Sequence, residues 1–173
     1  MPVLIPRSVD ELVEVFQEHP AAKLLAGGTD YMVEVNLHGR QPETMISLRQ
    51  VKELTEWSVR TSQSRIIIGA GVPYADMEVG EIARLVPALA QAARTVGSPQ
   101  IRAAGTLGGN LGTCSPAGDS LPVLAALNAT IHVIGPDGNR DLEFVDFMVS
   151  VKKNSLQPSE FMHSVSMPIV EGW

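Results

Sequence analysis

The chain has 173 residues, of which 45% are hydrophobic and 18% charged, and its formal net charge is −6. This composition is globular and argues against a largely disordered chain, while the negative charge argues against a nucleic-acid partner. No apolar run approaches the ~18 residues that a membrane-spanning helix needs, and the N-terminus lacks the basic start of a signal peptide. We therefore expect a cytoplasmic protein that binds neither nucleic acid nor a membrane.

The first half of the chain is expected to mix short helices and strands. Ser8 and Glu11 form a capping-box pattern ahead of an apolar series at helical spacing. The segment 31–38 is ambiguous by periodicity, although Thr29 or Asp30 can cap a helix there and Gly39 suits its C-terminal end. The elements predicted without ambiguity are a helix from residue 9 to about 19, a buried strand at 23–26, a strand at 45–48, and a hairpin of strands 57–60 and 65–68. Trp57, in the hairpin, is expected to lie in the core.

The second half contains a glycine-rich stretch between more regular segments. Its predicted elements are a helix from 87 to 96, a glycine-rich loop from 97 to 118, a helix capped by Asp119 or Ser120 and ending at 128, and strands at 129–134, 140–144 and 161–167. Helices and strands follow one another without a regular βαβ rhythm, which favours an α+β fold over a doubly wound parallel sheet. A break near residues 55–60 is the expected boundary between a small N-terminal lobe and a larger second lobe.

A single cysteine limits the metal and covalent chemistry of the chain. Cys114 cannot form an internal disulfide, and one thiol cannot hold a structural zinc ion or an iron–sulfur cluster. His19, His38 and His132 share no metal-ligand spacing, and no Ser-His-Asp or paired-carboxylate arrangement can be argued from the sequence. We therefore predict no metal site and no catalytic side chain, and we interpret Cys114 as a packed thiol.

The first candidate binding segment is the glycine pair Gly27-Gly28, which follows a predicted strand and precedes Thr29 and Asp30. In such a turn successive backbone N–H groups point at one spot, and a helix start adds its dipole, so the spot attracts anions such as phosphate. The alternative is a tight turn that merely needs a positive φ. The segment has neither the Walker nor the Rossmann glycine pattern.

The second candidate segment is 106–119 (TLGGNLGTCSPAGD), in which glycines alternate with short hydrogen-bonding side chains. Such a mixture suits a polyhydroxylated or heteroaromatic ligand, and Asp119 could accept hydrogen bonds from ligand hydroxyls. The alternative is an Ω-like loop whose polar groups satisfy its own backbone. Two such segments in one short chain favour the ligand-binding interpretation.

Together, in this order and separation, the two segments resemble the flavin-binding signatures of the FAD (medium) subunit of the xanthine dehydrogenase/carbon monoxide dehydrogenase family of molybdenum hydroxylases. Two intervening segments, 65–72 (RIIIGAGV) and 97–105 (GSPQIRAAG), agree with the same family. The match covers nearly the whole chain. The resemblance implies an α+β, two-lobed FAD-binding domain of the vanillyl-alcohol-oxidase type, with lobes at residues 1–56 and 57–173. It also implies that the family's C-terminal domain is absent from a sequence that stops at Trp173.

The resemblance further implies a set of FAD-binding residues. Residues 25–32 would surround the pyrophosphate, Thr106, Gly109 and Asn110 would lie near the pyrophosphate and flavin, and Thr113 and Asp119 would hold the ribityl and neighbouring hydroxyls. Val96 would contact the cofactor, and Met162 or His163 would lie beside the isoalloxazine ring. The complete set is Leu25, Ala26, Gly27, Gly28, Thr29, Asp30, Tyr31, Met32, Val96, Thr106, Gly108, Gly109, Asn110, Thr113, Ser115, Asp119, Met162 and His163.

The function implied by the resemblance is electron transfer in a molybdenum hydroxylase. A molybdopterin-binding large subunit would oxidise the substrate, a [2Fe–2S] small subunit would relay the electrons, and FAD on this chain would release them to NAD+ or another acceptor. Two alternatives stay open, namely a stand-alone FAD-dependent oxidoreductase with its own substrate pocket and a flavin-free interface module. Flavin content separates the module from the other two, and co-purification with an iron–sulfur partner separates the first two.

Overall fold

Two β-sheets with helices around them make up the chain, whose computed structural model describes residues 2–39 and 42–170. The first sheet has three parallel strands in the order β1-β3-β2. Its elements in chain order are β1 (Val3–Leu4), α1 (Val9–Glu18), β2 (Lys23–Leu25), α2 (Tyr31–His38) and β3 (Met45–Ser47). This part is therefore a βαβαβ unit, and the expectation of no βαβ rhythm is wrong here, because strands of two or three residues leave too little periodicity to detect.

Local sequence explains how α1 begins and how α2 ends. The Ser8 hydroxyl accepts a hydrogen bond from the Glu11 N–H (3.2 Å), while the Glu11 carboxylate accepts from the Arg7 N–H (2.7 Å), one residue before the expected partner. Helix α2 ends at Gly39, which has a φ of 63° and donates its N–H to Val35. Asp30 precedes α2, but its side chain forms no capping hydrogen bond, so the expectation of a side-chain cap is wrong at this residue.

The second sheet has five antiparallel strands in the order β4-β5-β10-β6-β7. Its strands are β4 (Trp57–Arg60), β5 (Arg65–Gly69), β6 (Thr130–Gly135), β7 (Gly138–Glu143) and β10 (Phe161–Pro168). The hairpin of β4 and β5 is confirmed, with Trp57 opposite Ile68. Trp57 itself is 39% exposed, so its expected core position is wrong; β4 is an edge strand, and all four of its residues are exposed.

Helices cover the inner face of the second sheet and enclose the larger hydrophobic core. These elements are α3 (Tyr74–Met77), α4 (Gly80–Leu85), α5 (Pro87–Thr95), α6 (Pro99–Ala104), α7 (Leu107–Thr113), α8 (Leu121–Ala126) and α9 (Phe144–Phe147), followed by the short hairpin β8 (Met148–Ser150) and β9 (Lys153–Asn154). The glycine-rich stretch at 97–118 is thus largely helical, so the Ω-like alternative for 106–119 is wrong in its shape over α7. It is right that polar groups of this segment satisfy its own backbone, since the Thr106 and Ser115 hydroxyls accept from the N–H groups of Gly109 and Ala117. The Ser98 and Thr106 hydroxyls cap α6 and α7 by accepting from the N–H groups of Ile101 and Gly109.

A smaller hydrophobic cluster holds the two sheets together. It contains Leu12 and Phe16 of α1, Ile46 of β3, Leu54, and Phe161 from the start of β10. The expected lobe boundary at residue 56 falls between the two sheets, and the division into lobes at 1–56 and 57–173 stays a prediction whose last residues lie outside the described range. Within the part of the chain that the structure describes, no helix combines the length and apolarity needed to cross a membrane.

Candidate functional site

A cleft of about 730 Å³ opens between the two sheets and is lined by residues from both. Its volume lies within the ~300–1,000 Å³ range of small-molecule and cofactor sites. Most of the residues expected to bind a cofactor line it: Leu25, Ala26, Gly27, Gly28, Thr29, Asp30, Tyr31, Val96, Thr106, Gly108, Gly109, Asn110, Thr113, Ser115 and Met162. Met32, Asp119 and His163 are not among the lining residues.

The glycine pair at the end of β2 exposes a row of backbone donors. The N–H groups of residues 27–31 form no hydrogen bond to any other described residue. Gly28 has a φ of 72°, which turns the chain from the strand towards α2. The next amide, that of Met32, is already used, because it donates to the Gly28 carbonyl (3.1 Å). The free donors therefore cover five successive residues at the end of one strand, as expected of an anion-binding turn.

The two glycine-rich segments meet directly at the cleft. A Cβ on Gly27 would overlap the Ala104 carbonyl at the end of α6, and a Cβ on Gly105 would lie 3.3 Å from the Thr29 hydroxyl. The Thr113 hydroxyl at the end of α7 donates to the Asp30 carboxylate at 3.4 Å. Glycine is therefore required at Gly27 because the backbones pack closely there.

Helix α7 differs from the first segment because its leading N–H groups are satisfied within the chain. Leu107 donates to Val72, Gly108 to Ala70, and Gly109 to the Thr106 hydroxyl, at 3.2, 2.8 and 3.0 Å. A Cβ on Gly108 would lie 2.6 Å from the Cβ of Ala70. Gly108 therefore lets α7 pack against the end of β5, and the first three N–H groups of α7 are not available to a ligand.

A buried hydrogen-bonded chain fixes the side chain of Asn110 at the cleft wall. The Ser120 hydroxyl donates to Asn110 Oδ1 at 2.8 Å, and the Tyr74 hydroxyl lies 3.1 Å from the Ser120 oxygen. A Cβ on Gly118 would lie 2.6 Å from Asn110 Oδ1, so glycine there also makes room for this amide. Burial raises the pKa of the Tyr74 phenol to about 12.

Met162 and His163 lie at an irregularity of β10. Met162 is opposite Val133 and Ser164 is opposite His132, so His163 is the extra residue of a β-bulge. The bulge leaves Met162 on the cleft wall, with its Cε 3.4 Å from the position of a Cβ on Gly112. Burial lowers the pKa of the His163 imidazole, whose Nδ1 lies 3.1 Å from the Ser164 hydroxyl. Of the two residues expected beside the flavin, the geometry favours Met162.

Two further residues of the expected set lie at the surface. Asp119 is exposed and precedes α8, and Met32 is 36% exposed on α2.

The Cys114 thiol is buried at the end of α7, donates to the Leu111 carbonyl (3.1 Å) and lies 3.2 Å from the Met148 sulfur. Burial raises the pKa of this thiol, so the interpretation of Cys114 as a packed thiol is confirmed. In the described ranges, no group of three acidic, histidine or cysteine side chains is placed to hold a metal ion.

Charged residues at the cleft include two that the sequence did not single out. Lys152, in the turn between β8 and β9, forms a 2.6 Å ion pair with Glu34 of α2. The hydrogen bond from Lys152 holds the pKa of the Glu34 carboxyl below its ordinary value, and the same bond raises the pKa of Lys152. Tyr74 and Asn154 also line the cleft without having been expected there. No local pattern could have found these residues, because only tertiary packing brings them to the site.

The cleft fits a flavin dinucleotide on the chemistry of its walls. The free N–H groups of residues 27–31 suit a diphosphate, and half-buried apolar side chains suit an aromatic ring system. These apolar residues include Leu25, Val96, Leu156 and Met162. Hydroxyl and amide groups of Thr113, Ser115 and Asn110 line the space between.

The amino-acid sequence of the chain is similar to those of known FAD-binding proteins. Residues 1–170 match the family model described as FAD binding domain in molybdopterin dehydrogenase. The nicotinate dehydrogenase FAD-subunit of Eubacterium barkeri is 35% identical over 167 residues, which cover 92% of this chain and 55% of that protein. The chain thus spans little more than half the length of this curated relative.

Solved structures share the fold over almost the entire chain. Quinoline 2-oxidoreductase from Pseudomonas putida 86 matches with a TM-score of 0.93 and 27% identity, over 99% of this chain and 60% of that one. Carbon monoxide dehydrogenase from Hydrogenophaga pseudoflava matches with a TM-score of 0.93 and 29% identity, over the same shares. The expected α+β, two-lobed fold is therefore confirmed.

Proposed function

Since the chain belongs to the family of FAD-binding domains in molybdopterin dehydrogenases, we propose that it binds FAD in the cleft between its sheets and transfers electrons within a molybdenum hydroxylase. The observation that carries the proposal is the row of free backbone N–H groups at residues 27–31. Such donors recognise phosphate oxygens without a positive side chain, which suits a protein with a net charge of −6. The relatives are oxidoreductase subunits, and their names supply the enzyme class.

The proposed binding mode assigns each part of the cleft to one part of FAD. Residues 25–31 hold the pyrophosphate, with Met32 completing the turn through its bond to Gly28. Val96 and Met162 contact the ring system from the apolar wall. The pyrophosphate and flavin are proposed to lie near Thr106, Gly108, Gly109 and Asn110, and the ribityl chain near Thr113 and Ser115. Asp119 and His163 stay predictions, and neither lies on the cleft wall.

The residues of this chain bind and orient the cofactor. FAD, when bound, supplies redox chemistry that exchanges one or two electrons, and the proposal needs no general acid or base from the chain. The half-buried walls of Val96, Leu156 and Met162 limit water access on one side of the cleft. The ion pair of Glu34 and Lys152 joins α2 to the β8–β9 turn across the rim.

Partners and acceptor follow from the family and form part of the proposal. We propose a molybdopterin-binding large subunit and a [2Fe–2S] small subunit that delivers electrons, with NAD+ or another molecule accepting them. The relative from Eubacterium barkeri is named as the FAD-subunit of a nicotinate dehydrogenase, which supports a division of labour between chains. A cytoplasmic location belongs to the same proposal.

The test is the visible absorption spectrum of the purified full chain, with release and chromatographic identification of any bound nucleotide. We expect a flavin spectrum and non-covalent FAD at about one per chain, or uptake of added FAD in preference to FMN. A colourless protein that takes up no FAD would contradict the proposal and favour the interface module. Isolation from its native source with an iron–sulfur protein would support the electron-transfer role, and flavin-dependent turnover of a substrate by the chain alone would support a stand-alone oxidoreductase.

A further inference from the structure

We infer that Tyr74 and Ser120 are positioning residues, which fix the side-chain amide of Asn110 so that its amino group, Nδ2, donates a hydrogen bond into the cleft. The inference rests on the proposed FAD site. The hydroxyl groups of Tyr74 and Ser120 act on the ligand only through Asn110, whose amide they orient before the ligand binds.

The direction of the hydrogen bonds follows from the chemistry of the three groups. Asn110 Oδ1 is a carbonyl oxygen and can only accept, so the hydrogen of Ser120 is used at the 2.8 Å contact. The Tyr74 phenol, 3.1 Å from the Ser120 oxygen, must then be the donor to Ser120. If the Asn110 amide were reversed, the Ser120 hydrogen would turn to Tyr74, and the buried phenol hydrogen would have no acceptor among the described residues.

Burial makes this arrangement rigid. Ser120 is 0% exposed and Tyr74 is 2% exposed, so water does not compete for either hydroxyl. The Tyr74 N–H donates to the Gly105 carbonyl at 3.0 Å, which ties the tyrosine to the start of the second signature. The phenol keeps its proton across the physiological range, because burial raises the pKa of Tyr74 to about 12.

Ser120 also departs from the usual behaviour of a serine at a helix start. It occupies the N-cap of α8, yet its side chain makes no capping hydrogen bond. A serine in this position usually accepts a hydrogen bond from an N–H of the first turn, which stabilises the helix. Here the hydroxyl is used to hold Asn110 instead. A residue that gives up a stabilising local hydrogen bond, as Ser120 gives up the helix cap, is typical of a functional site.

The result is a donor that faces the ligand space. Asn110 is half-buried and lines the cleft, and its Nδ2 has no acceptor among the described residues. Gly118 packs against the amide from the other side, since a Cβ there would lie 2.6 Å from Oδ1 and 2.7 Å from Nδ2. With Oδ1 held by Ser120, the amide presents its amino group to a hydrogen-bond acceptor of the bound dinucleotide.

A double-mutant cycle on the purified full chain tests the inference, with the dissociation constant of added FAD as readout. We expect Ser120→Ala to weaken FAD binding about tenfold and Tyr74→Phe about threefold, as loss of one hydrogen bond implies. In an Asn110→Ala background, Ser120→Ala should change the constant less than twofold. The matched control is Ser166→Ala, which removes a buried hydroxyl bonded to His132 outside the cleft and should leave the constant unchanged.

A second variant separates orientation from structure. Asn110→Asp keeps an oxygen that can accept from Ser120 but removes the amino group. We expect FAD binding at least tenfold weaker, with an unchanged thermal midpoint of the apoprotein. The inference would be overturned if Ser120→Ala weakened FAD binding equally in the wild-type and Asn110→Ala backgrounds, or if Asn110→Asp bound FAD with wild-type affinity. Neither result would contradict the proposed FAD site. A wild-type chain that binds no FAD would overturn the proposed function and the inference together.

Discussion

Gly27 lies against the carbonyl group of Ala104, so closely that a side chain on Gly27 would overlap the carbonyl oxygen. This contact joins the end of β2 in the first sheet to the end of α6 beside the second. It therefore fixes the distance between the two walls of the cleft. The Thr113–Asp30 hydrogen bond and the Glu34–Lys152 ion pair join the same walls nearer the rim.

Replacement of Gly27 by alanine tests this contact. Gly27→Ala should lower the free energy of unfolding by about 1–3 kcal/mol, the usual effect of overpacking, and should weaken FAD binding because the walls move apart. Urea denaturation and FAD titration measure the two effects. Gly112→Ala is the stability control, because its Cβ meets only Met162 Cε at an ordinary 3.4 Å. Unchanged stability and affinity in Gly27→Ala would show that the contact does not set the cleft width.

The ion pair of Arg140 and Glu160 should make stability depend on pH in the acid range. Arg140 donates two 2.7 Å hydrogen bonds to Glu160, which hold the pKa of this carboxyl below its ordinary 4.5. A lowered folded-state pKa stabilises the fold fully above the unfolded value, and the stabilisation disappears as the pH falls through the folded value. Glu160→Gln should therefore lower the free energy of unfolding at pH 7. The decrease should be only about 1 kcal/mol, because Arg140 is partly exposed and solvent screens the ion pair.

Urea denaturation of both proteins between pH 7 and pH 3 measures this difference. It should be constant above pH 4.5 and shrink below it. Glu81→Gln is the control, because its pair with Arg84 is exposed on both sides and should contribute little at any pH. A difference between wild type and Glu160→Gln that persists unchanged at pH 3 would contradict the assigned role.

Lys152 should contribute to FAD affinity in a salt-dependent manner. Lys152 lines the same cleft as the residues with the free N–H groups, and its positive charge can attract a diphosphate despite its pair with Glu34. Lys152→Gln should weaken FAD binding about threefold at low ionic strength, with the difference reduced at high salt, because exposed charges are screened. Lys153→Gln is the matched control, since Lys153 does not line the cleft. Equal affinities of wild type and Lys152→Gln at low salt would exclude a contribution from this charge.

Local signals in the sequence predict those parts of the fold that are set by neighbouring residues. The Ser8 cap of α1, the left-handed Gly39 and the hairpin around Ser64 all depend on residues close in the chain. The sequence does not predict helix α7 because three of its seven residues are glycine, a poor helix former, and tertiary packing such as that of Gly108 against Ala70 makes a helix favourable there. Trp57 is exposed although a core position is expected, because nothing in the sequence identifies β4 as an edge strand.

The site divides in a similar way. The sequence alone predicts two parts of the site, the glycine pair at 27–28 and the polar series at 106–115, because the binding groups of each lie within a few residues of one another. Tyr74, Lys152 and Asn154 reach the cleft only through tertiary structure. Lys23 and Leu24–Leu25 were expected in a buried strand, yet Lys23 is exposed and the leucines are half-buried, because this strand forms a wall of the cleft. Burial could not be predicted there without knowing where the cleft opens.

The most direct test of the account is amide hydrogen exchange of residues 27–31 in the full chain, with and without FAD. A mutation to proline would remove a backbone donor but would also fix φ, whereas hydrogen exchange reports on each donor in the unaltered chain. These N–H groups have no partner among the described residues, so they should exchange rapidly in the apoprotein and become protected when FAD binds. The Met32 amide, already bonded to Gly28, should change less. FAD binding that leaves residues 27–31 as exposed to exchange as before would contradict the proposed site.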